Sequence, residues 1–256
     1  IISHKFGLDI SSLYDISNRK VISTTIHELS FNNSNLRSST RWNKAGLIQD
    51  RLLSMSDIFI PLGKHIRNTR NGFSPVCTEG SSLTAVLGLE CLNRDTNLSF
   101  DNLKYTDLDI SQELDCFVKN NDFFISRGNT TDLVALASIA NLSDDSYPLI
   151  YPDIMIRIDF DSSVNIRYMA YIFNSFIGRL YFKYAAKGKN QTMVKTSAKE
   201  INDFFVPFPS LDEQKLIVDE ITEEIRIQDT IKTQIEDWHL QIDTVIEKTL
   251  SANVIV

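Results

Sequence analysis

Val206-Pro207-Phe208-Pro209-Ser210-Leu211-Asp212-Glu213-Gln214 opens a stretch that runs on to Leu250 with no further proline and no glycine. The two prolines fix φ and push Val206 and Phe208 toward extended backbone, so the chain arrives here as strand or polyproline-like segment. It then turns helical. Ser210 and Glu213 have the spacing of a capping box, in which each satisfies a backbone N–H of the other, and Asp212 and Glu213 suit the positive end of the helix dipole. The apolar seam of this helix reads Leu211, Gln214, Val218, Ile221, Ile225, Gln228, Ile231, Ile235, Trp238, Ile242, Val245 and Thr249. Steps of three and four alternate, apart from one extra step of three between Gln228 and Ile231. At 1.5 Å per residue the helix is about 60 Å long, more than a small domain can cover. The seam therefore predicts a partner helix contacting Val218, Ile221, Ile225, Ile231, Ile235, Trp238, Ile242 and Val245. Periodicity alone also fits an ordinary amphipathic helix lying on its own domain.

The chain has 256 residues, 43% of them hydrophobic, enough for one or two domains with a real core. Its net charge of −7 argues at first sight against nucleic acid. The distribution of that charge points the other way, because residues 211–250 hold eleven acidic and four basic side chains, leaving 22 of each elsewhere. The excess acidity sits on the helix, and the remainder can present a basic face. Cys77, Cys91 and Cys116 form no CxxC pair, and the four histidines show no ligand spacing, so neither zinc nor a disulfide framework is expected. Unpaired cysteines suit a reducing cytoplasm, and the sequence shows no membrane-spanning run or signal peptide. The chain opens at Ile1 rather than a methionine, which raises the expectation of a fragment or processed product with a domain upstream.

Residues 1–40 form a lead-in, with Lys20 to Ile26 reading as a strand and Asn32 to Thr40 as a polar loop. Lys44 to Met55 suits a short helix through Leu47, Leu52, Leu53 and Met55. Ile58 to Lys64 then reads as a strand and turn. Lys64-His65-Ile66-Arg67-Asn68-Thr69-Arg70-Asn71-Gly72-Phe73-Ser74-Pro75 is basic, with a turn signal at Asn71-Gly72. Lys64, Arg67, Arg70 and Asn71 are candidates for phosphate and base contact, although a solvated strand-turn accounts for the composition as well. Ser82 to Leu92 is an apolar strand, and Asn102 to Ile110 leads into Ser111-Gln112-Glu113-Leu114. Asn121-Asp122-Phe123-Phe124-Ile125-Ser126-Arg127-Gly128-Asn129-Thr130 reads as a strand ending in a donor-rich loop. Arginine to guanine and asparagine to adenine are the common major-groove pairings, which makes Arg127, Asn129 and Thr130 candidates; equally, Arg127 can pair with Asp132. Leu133 to Ala140 and Leu149 to Ile158 read as strands. Asp161 to Gly188 reads as one helix capped by Ser163 and closed by Gly188. Beyond it, Lys187-Gly188-Lys189-Asn190-Gln191-Thr192-Met193-Val194-Lys195, with Lys183 one turn earlier, suits phosphate clamping or a solvated helix-end loop. The candidates here are Lys183, Lys187, Lys189, Asn190, Gln191, Thr192 and Lys195. Ser197 and Glu200 form a second capping box.

Four of these blocks, in order, resemble the target recognition domain and spacer helix of type I restriction-modification specificity subunits, and the equivalent C-terminal specificity domains of fused methyltransferases. They are the 64–75 segment, which in the family ends in a glycine followed by a small residue and proline and here ends Gly72-Phe73-Ser74-Pro75; the 121–130 block; the Ala-Lys-Gly-x-x-Gln-x-Met loop with Gln191 and Met193 in register; and the Pro-x-Pro, Ser-Leu-x-Glu-Gln junction. Departures are Asn43, where the family carries an acidic residue, and Asn121, where it carries glycine. The resemblance implies an α+β architecture: a mixed-sheet recognition domain over residues 41–209, then a long coiled-coil-type helix over 210–256. It implies a non-catalytic chain that binds double-stranded DNA and directs a methyltransferase subunit and a restriction (translocase/nuclease) subunit. S-adenosylmethionine would belong to the methyltransferase partner, this chain carrying no cofactor. With one such domain, the chain is expected to be a half-subunit that dimerises through its helix, or the specificity portion of a larger enzyme.

Two other readings remain. Pro152-Asp153 with Glu213-Gln214-Lys215 nominally matches the PD…ExK pattern of metal-dependent nucleases, though Glu213 has a better use in the capping box. A coiled-coil scaffold without nucleic-acid function shares the helix but leaves the basic loops unexplained. No Gly-rich S-adenosylmethionine or phosphate loop is present.

Overall fold

A computed structural model describes residues 1–22, 40–78, 83–110, 114–142, 148–188 and 192–252. The chain divides into a unit of residues 1–214 and a unit of residues 215–256. In the first, α1 (Ile2–Lys5) and α2 (Ile10–Asn18) precede α3 (Thr40–Met55). Asp9 caps α2 by accepting the Ser12 N–H at 3.3 Å. The stripe that α3 buries is Ala45, Ile48 and Leu52, at helical spacing, while Leu53 is exposed. The strand expected over 20–26 is not formed at 20–22, and residues 23–39 lie outside the described residues; Thr40 already begins α3.

The strands are short: β1 (Phe59–Pro61), β2 (Ile66–Asn71), β3 (Thr84–Val86), β4 (Lys104–Thr106), β5 (Phe123–Ser126), β6 (Gly128–Asn129), β7 (Ala137–Ile139), β8 (Leu149–Ile150), β9 (Met155–Phe160), β10 (Val194–Lys195) and β11 (Phe205–Pro207). They form an antiparallel sheet in the order β2-β9-β5-β7, a mixed sheet β4-β3-β8 with β3 and β8 parallel, and two pairs, β1-β11 and β6-β10. All of β5 is buried, because Phe123 packs on Phe160 and Phe173 while Phe124 packs on Tyr151. Such a strand reads as a continuous apolar run, since both faces are covered. The Phe124 side joins the core of the mixed sheet, with Ala85, Val86, Leu98 and Ile150. The Phe123 side meets an aromatic cluster of Phe173, Phe182 and Phe204. Asn121, standing where glycine was expected, has φ of +67°, a left-handed conformation that asparagine tolerates better than most residues.

Pro152 and Asp153 interrupt the run expected as one strand over 149–158, and only Ala137–Ile139 of the 133–140 run pairs. The single helix expected over 161–188 is two: α4 (Ile166–Asn174) and α5 (Phe176–Ala185), broken at Ser175, which is extended. Asn165, not Ser163, caps α4 by accepting the N–H groups of Arg167 and Tyr168. A Cβ on Gly178 would lie 2.3 Å from the Phe173 carbonyl oxygen, so the break relies on close approach at a glycine. Gly188 does not close the helix, since α5 ends at Ala185; a Cβ there would sit 2.6 Å from the Met193 carbonyl oxygen. Gly72 likewise makes no turn but passes the Tyr151 carbonyl too closely for a side chain.

After α6 (Ala198–Asn202), whose Ser197–Glu200 capping box is formed, β11 leads into α7 (Leu211–Ala252). The Ser210–Glu213 box is also formed: Ser210 N donates to Glu213 Oε2 at 3.0 Å and Glu213 N to Ser210 Oγ at 3.4 Å. Gln214, expected on the partner seam, is instead fully buried. Its Oε1 accepts the Asn165 N–H at 2.8 Å, and its Nε2 donates to Ser163 O at 3.1 Å and Pro209 O at 3.0 Å. The fold is thus α+β, with a mixed sheet and a long C-terminal helix.

Candidate nucleic-acid interface

The β6–β10 pair joins two distant segments of the chain, with Asn129 opposite Val194 and Gly128 opposite Lys195. Arg127 lies where β5 hands over to β6. Its backbone is held on both sides, the N–H donating to Ile154 O at 2.8 Å and the carbonyl accepting from Thr196 N at 2.8 Å. Lys187 and Lys195 exchange backbone hydrogen bonds of 2.8 and 2.7 Å, closing the loop between them at its base. Thr130, Thr192 and Lys195 are exposed and Asn129 half-buried; Lys189, Asn190 and Gln191 lie outside the described residues.

The register of β2 on β9 sorts the third segment. Asn71 pairs with Ile156 and Ile66 with Phe160, while Ser126 pairs with Met155, so Arg70 and Asn71 share an end of the sheet with Arg127. Lys64 and Arg67 do not, because Arg67 precedes Asn71 by about 13 Å at strand spacing. Beyond β2, Ser74 Oγ donates to Asp153 Oδ1 at 2.5 Å and accepts the Asp153 N–H at 3.0 Å, tying the 72–77 segment to the β8–β9 connection. Thus one sheet end gathers Arg70, Asn71, Arg127, Asn129, Thr130, Thr192 and Lys195.

Several of the candidate cations, at this sheet end and beyond it, already have carboxylate partners. Arg70 meets Asp115 at 2.5 Å, Arg127 meets Asp153 at 3.8 Å, Lys183 meets Asp132 at 3.1 Å and Lys187 meets the buried Glu200 at 2.5 Å. The pairing of Arg127 with Asp132 that the sequence left open is therefore replaced by Lys183–Asp132. Among the described residues, Lys64, Arg67 and Lys195 have no ion-pair partner, so the open basic surface is smaller than the composition suggests.

Arg157 escaped the sequence reading. It is the one cation in the apolar run Met155-Ile156-Arg157-Ile158, and it is buried. Its guanidinium lies 3.0 Å from Asp115, 3.6 Å from Asp122 and 3.7 Å from Asp159, and donates to Phe117 O at 3.3 Å. Asp115, in a left-handed conformation with φ of +45°, serves both Arg157 and Arg70. Burial raises the Asp122 carboxyl above its ordinary range, against the pull of the Lys119 N–H and of Arg157.

Two arrangements that resemble chemistry do not assemble as such. Asp153 is engaged by Ser74 and Arg127, while Glu213 is folded onto Ser210, whose hydroxyl lowers its carboxyl. Both carboxylates of the PD…ExK pattern are thus engaged by other side chains, and among the described residues no group of three or more His, Cys, Asp and Glu side chains is placed to hold a metal ion. Ser163, His65 and Asp161 also meet, but Ser163 Oγ (2.9 Å) and Asp161 Oδ2 (3.0 Å) approach the same nitrogen, Nδ1. A nucleophile relay needs the two on opposite ring nitrogens. His65 instead stacks on Phe208 with ring centroids 3.9 Å apart.

On α7, Ile221 is buried and Val218 and Ile225 are half-buried. Residues 226–249 are exposed throughout, including Ile231, Ile235, Trp238, Ile242 and Val245. The threonine hydroxyls at 222, 230, 233, 244 and 249 are satisfied by carbonyls one turn back.

No family model matches the chain, and neither does any curated protein. Among solved structures, the chain is similar to one described for the complex assembly and conformational transition of the type I R-M system, with 16% identity and a TM-score of 0.47 over 89% of this chain and 54% of that one. It is similar to the HsdS subunit from Thermoanaerobacter tengcongensis (14%, TM-score 0.43, 85% of this chain and 50% of that one). It is similar also to the type I restriction-modification S subunit from M. genitalium (12%, TM-score 0.44, 67% and 40%). The chain spans about half or less of the length of each. Among the described residues no helix is long and apolar enough to cross a membrane.

Proposed function

We propose that this chain is the DNA-reading component of a type I restriction-modification system: a recognition domain over residues 41–209 and a spacer helix after it, without catalytic activity of its own. The observation that carries this is the β6–β10 pair. It sets the Arg127–Thr130 loop beside the Thr192–Lys195 segment, at the sheet end that also holds Arg70 and Asn71. Residues from three of the four ordered sequence blocks thus converge on one surface with guanidinium, amide, hydroxyl and ammonium donors, the set that positions on phosphates and reads base edges. The helix contributes an exposed apolar seam from Ile231 to Val245, suited to a second copy of the chain or to a matching helix of a longer subunit. Methyl transfer, with S-adenosylmethionine and a flipped adenine, then belongs to a methyltransferase partner, and cleavage to a restriction partner.

The test is selection of bound duplexes from a random pool by the isolated chain at low salt, repeated as salt rises. A two-part motif with a fixed gap is the expected result. Binding that shows no sequence enrichment and vanishes with salt would overturn the reading and favour a scaffold.

A further inference from the structure

We infer that Asp153 is a positioning residue that aims Arg127 at a guanine edge in the major groove rather than at a phosphate, an inference that rests on the DNA-reading function proposed above. Arg127 is the most constrained cation of the surface. Besides the two backbone hydrogen bonds that fix its Cα, its Nη1 donates to the Asp153 carbonyl at 3.2 Å and lies 3.8 Å from Asp153 Oδ2. Asp153 is fixed in turn, since Ser74 Oγ donates to its Oδ1 at 2.5 Å and accepts its N–H at 3.0 Å. Thr196 therefore anchors the Arg127 backbone, while Ser74 anchors the Asp153 that its guanidinium meets.

Two features favour a base over a phosphate. With Nη1 taken, Nε and Nη2 have no hydrogen-bond partner among the described residues. They share one edge of the guanidinium and present two parallel N–H donors, the geometry that meets the O6 and N7 acceptors of guanine. The second feature is charge. The Asp153 side chain is 61% exposed beside an Arg127 that is 32% exposed. A phosphate approaching Arg127 is repelled by that carboxylate as charge by charge, whereas a guanine edge, with no net charge, is repelled far less. Orientation held by the Asp153 carbonyl, with its carboxylate as the charged partner alongside, also removes rotamer freedom before DNA arrives, so the ordering penalty falls on folding rather than on binding. Lys195, across the pair from Gly128 and without a carboxylate partner, is the contrasting phosphate contact.

The experiment compares the wild-type chain with Arg127→Ala, Asp153→Ala and Ser74→Ala, each by duplex selection followed by competition binding at several salt concentrations. The expected result is loss of preference at one and the same G·C pair in Arg127→Ala and Asp153→Ala, by roughly 10- to 100-fold. Ser74→Ala, which removes only the anchor of Asp153, gives a smaller loss at that pair. Asp153→Ala binds unrelated duplex more tightly than wild type, because a carboxylate facing the DNA is gone. The inference is overturned if wild type is sequence-specific and Asp153→Ala and Ser74→Ala keep its profile. It is overturned as well if Arg127→Ala weakens every duplex alike and lowers the salt slope by about one, the signature of a phosphate contact. A wild-type chain that enriches no motif overturns the DNA-reading function itself, and this inference with it.

Discussion

Arg157 is the residue on which most charge converges, and its removal separates structural from DNA-facing cations. Arg157→Ala leaves Asp115, Asp122 and Asp159 without their shared partner, two of them beside a buried strand. We expect destabilisation of about 3–5 kcal/mol in urea unfolding, and no rescue by lysine, whose point charge cannot span three carboxylates. The penalty should shrink as pH falls through the carboxylate range. Asp122 is already raised by burial, so its protonation removes an orphaned, half-buried charge. Asp161 behaves oppositely. The Ser163 hydroxyl, its largest influence, and then the Ser163 N–H and His65 hold its carboxyl below the ordinary value of 3.8. A lowered folded-state value means stabilisation that is fully present above about pH 4 and lost as pH falls further. Asp161→Asn should therefore flatten the acid limb of a stability-against-pH curve; an unchanged limb would show that the His65–Asp161–Ser163 cluster contributes nothing to it.

At the scale of elements, the entry into α7 depends on one buried amide. Gln214 closes three hydrogen bonds to Asn165, Ser163 and Pro209, so Gln214→Leu strands a buried N–H and two carbonyls while preserving volume. Unsatisfied buried groups cost about 1–3 kcal/mol each, and we expect a net loss of about 3 kcal/mol in chemical denaturation. Ser210→Ala, which loses only the exposed capping box, should cost about 1 kcal/mol. A larger loss from the cap than from the amide would reverse this assignment. Gln214 sits at a seam position by spacing, and spacing cannot distinguish a residue that faces another helix from one that faces its own domain.

For the whole molecule, the decisive property is the exposed seam from residue 226 to 249. If two copies pair through it, Ile235→Asp combined with Trp238→Asp should convert a dimer to a monomer in sedimentation. The selected DNA motif should then shrink from two parts to one, while the thermal transition of the first unit stays within a few degrees. A variant that remains dimeric would place the self-association elsewhere.

The sequence alone determined what depends on local chemistry. The capping boxes at Ser197 and Ser210, the uninterrupted helix from Leu211, the apolar β5 and the donor-rich stretches around Arg127 and Lys187 were all legible, because caps, glycine and proline placement, periodicity and charge act within a few residues. Tertiary structure decided what depends on neighbours distant along the chain. The break at Ser175 answers to packing at Gly178, and Asp153 turned from a nominal metal ligand into the partner of Arg127 because Ser74, some eighty residues away, lies beside it. Lys64 and Arg67 parted from Arg70 and Asn71 because a strand has two ends, and only the register of β2 on β9 shows which end faces the other loops. Carboxylates at Asp115, Asp132, Asp153 and Glu200 claimed cations that look free in sequence, since ion pairing is set by proximity in space.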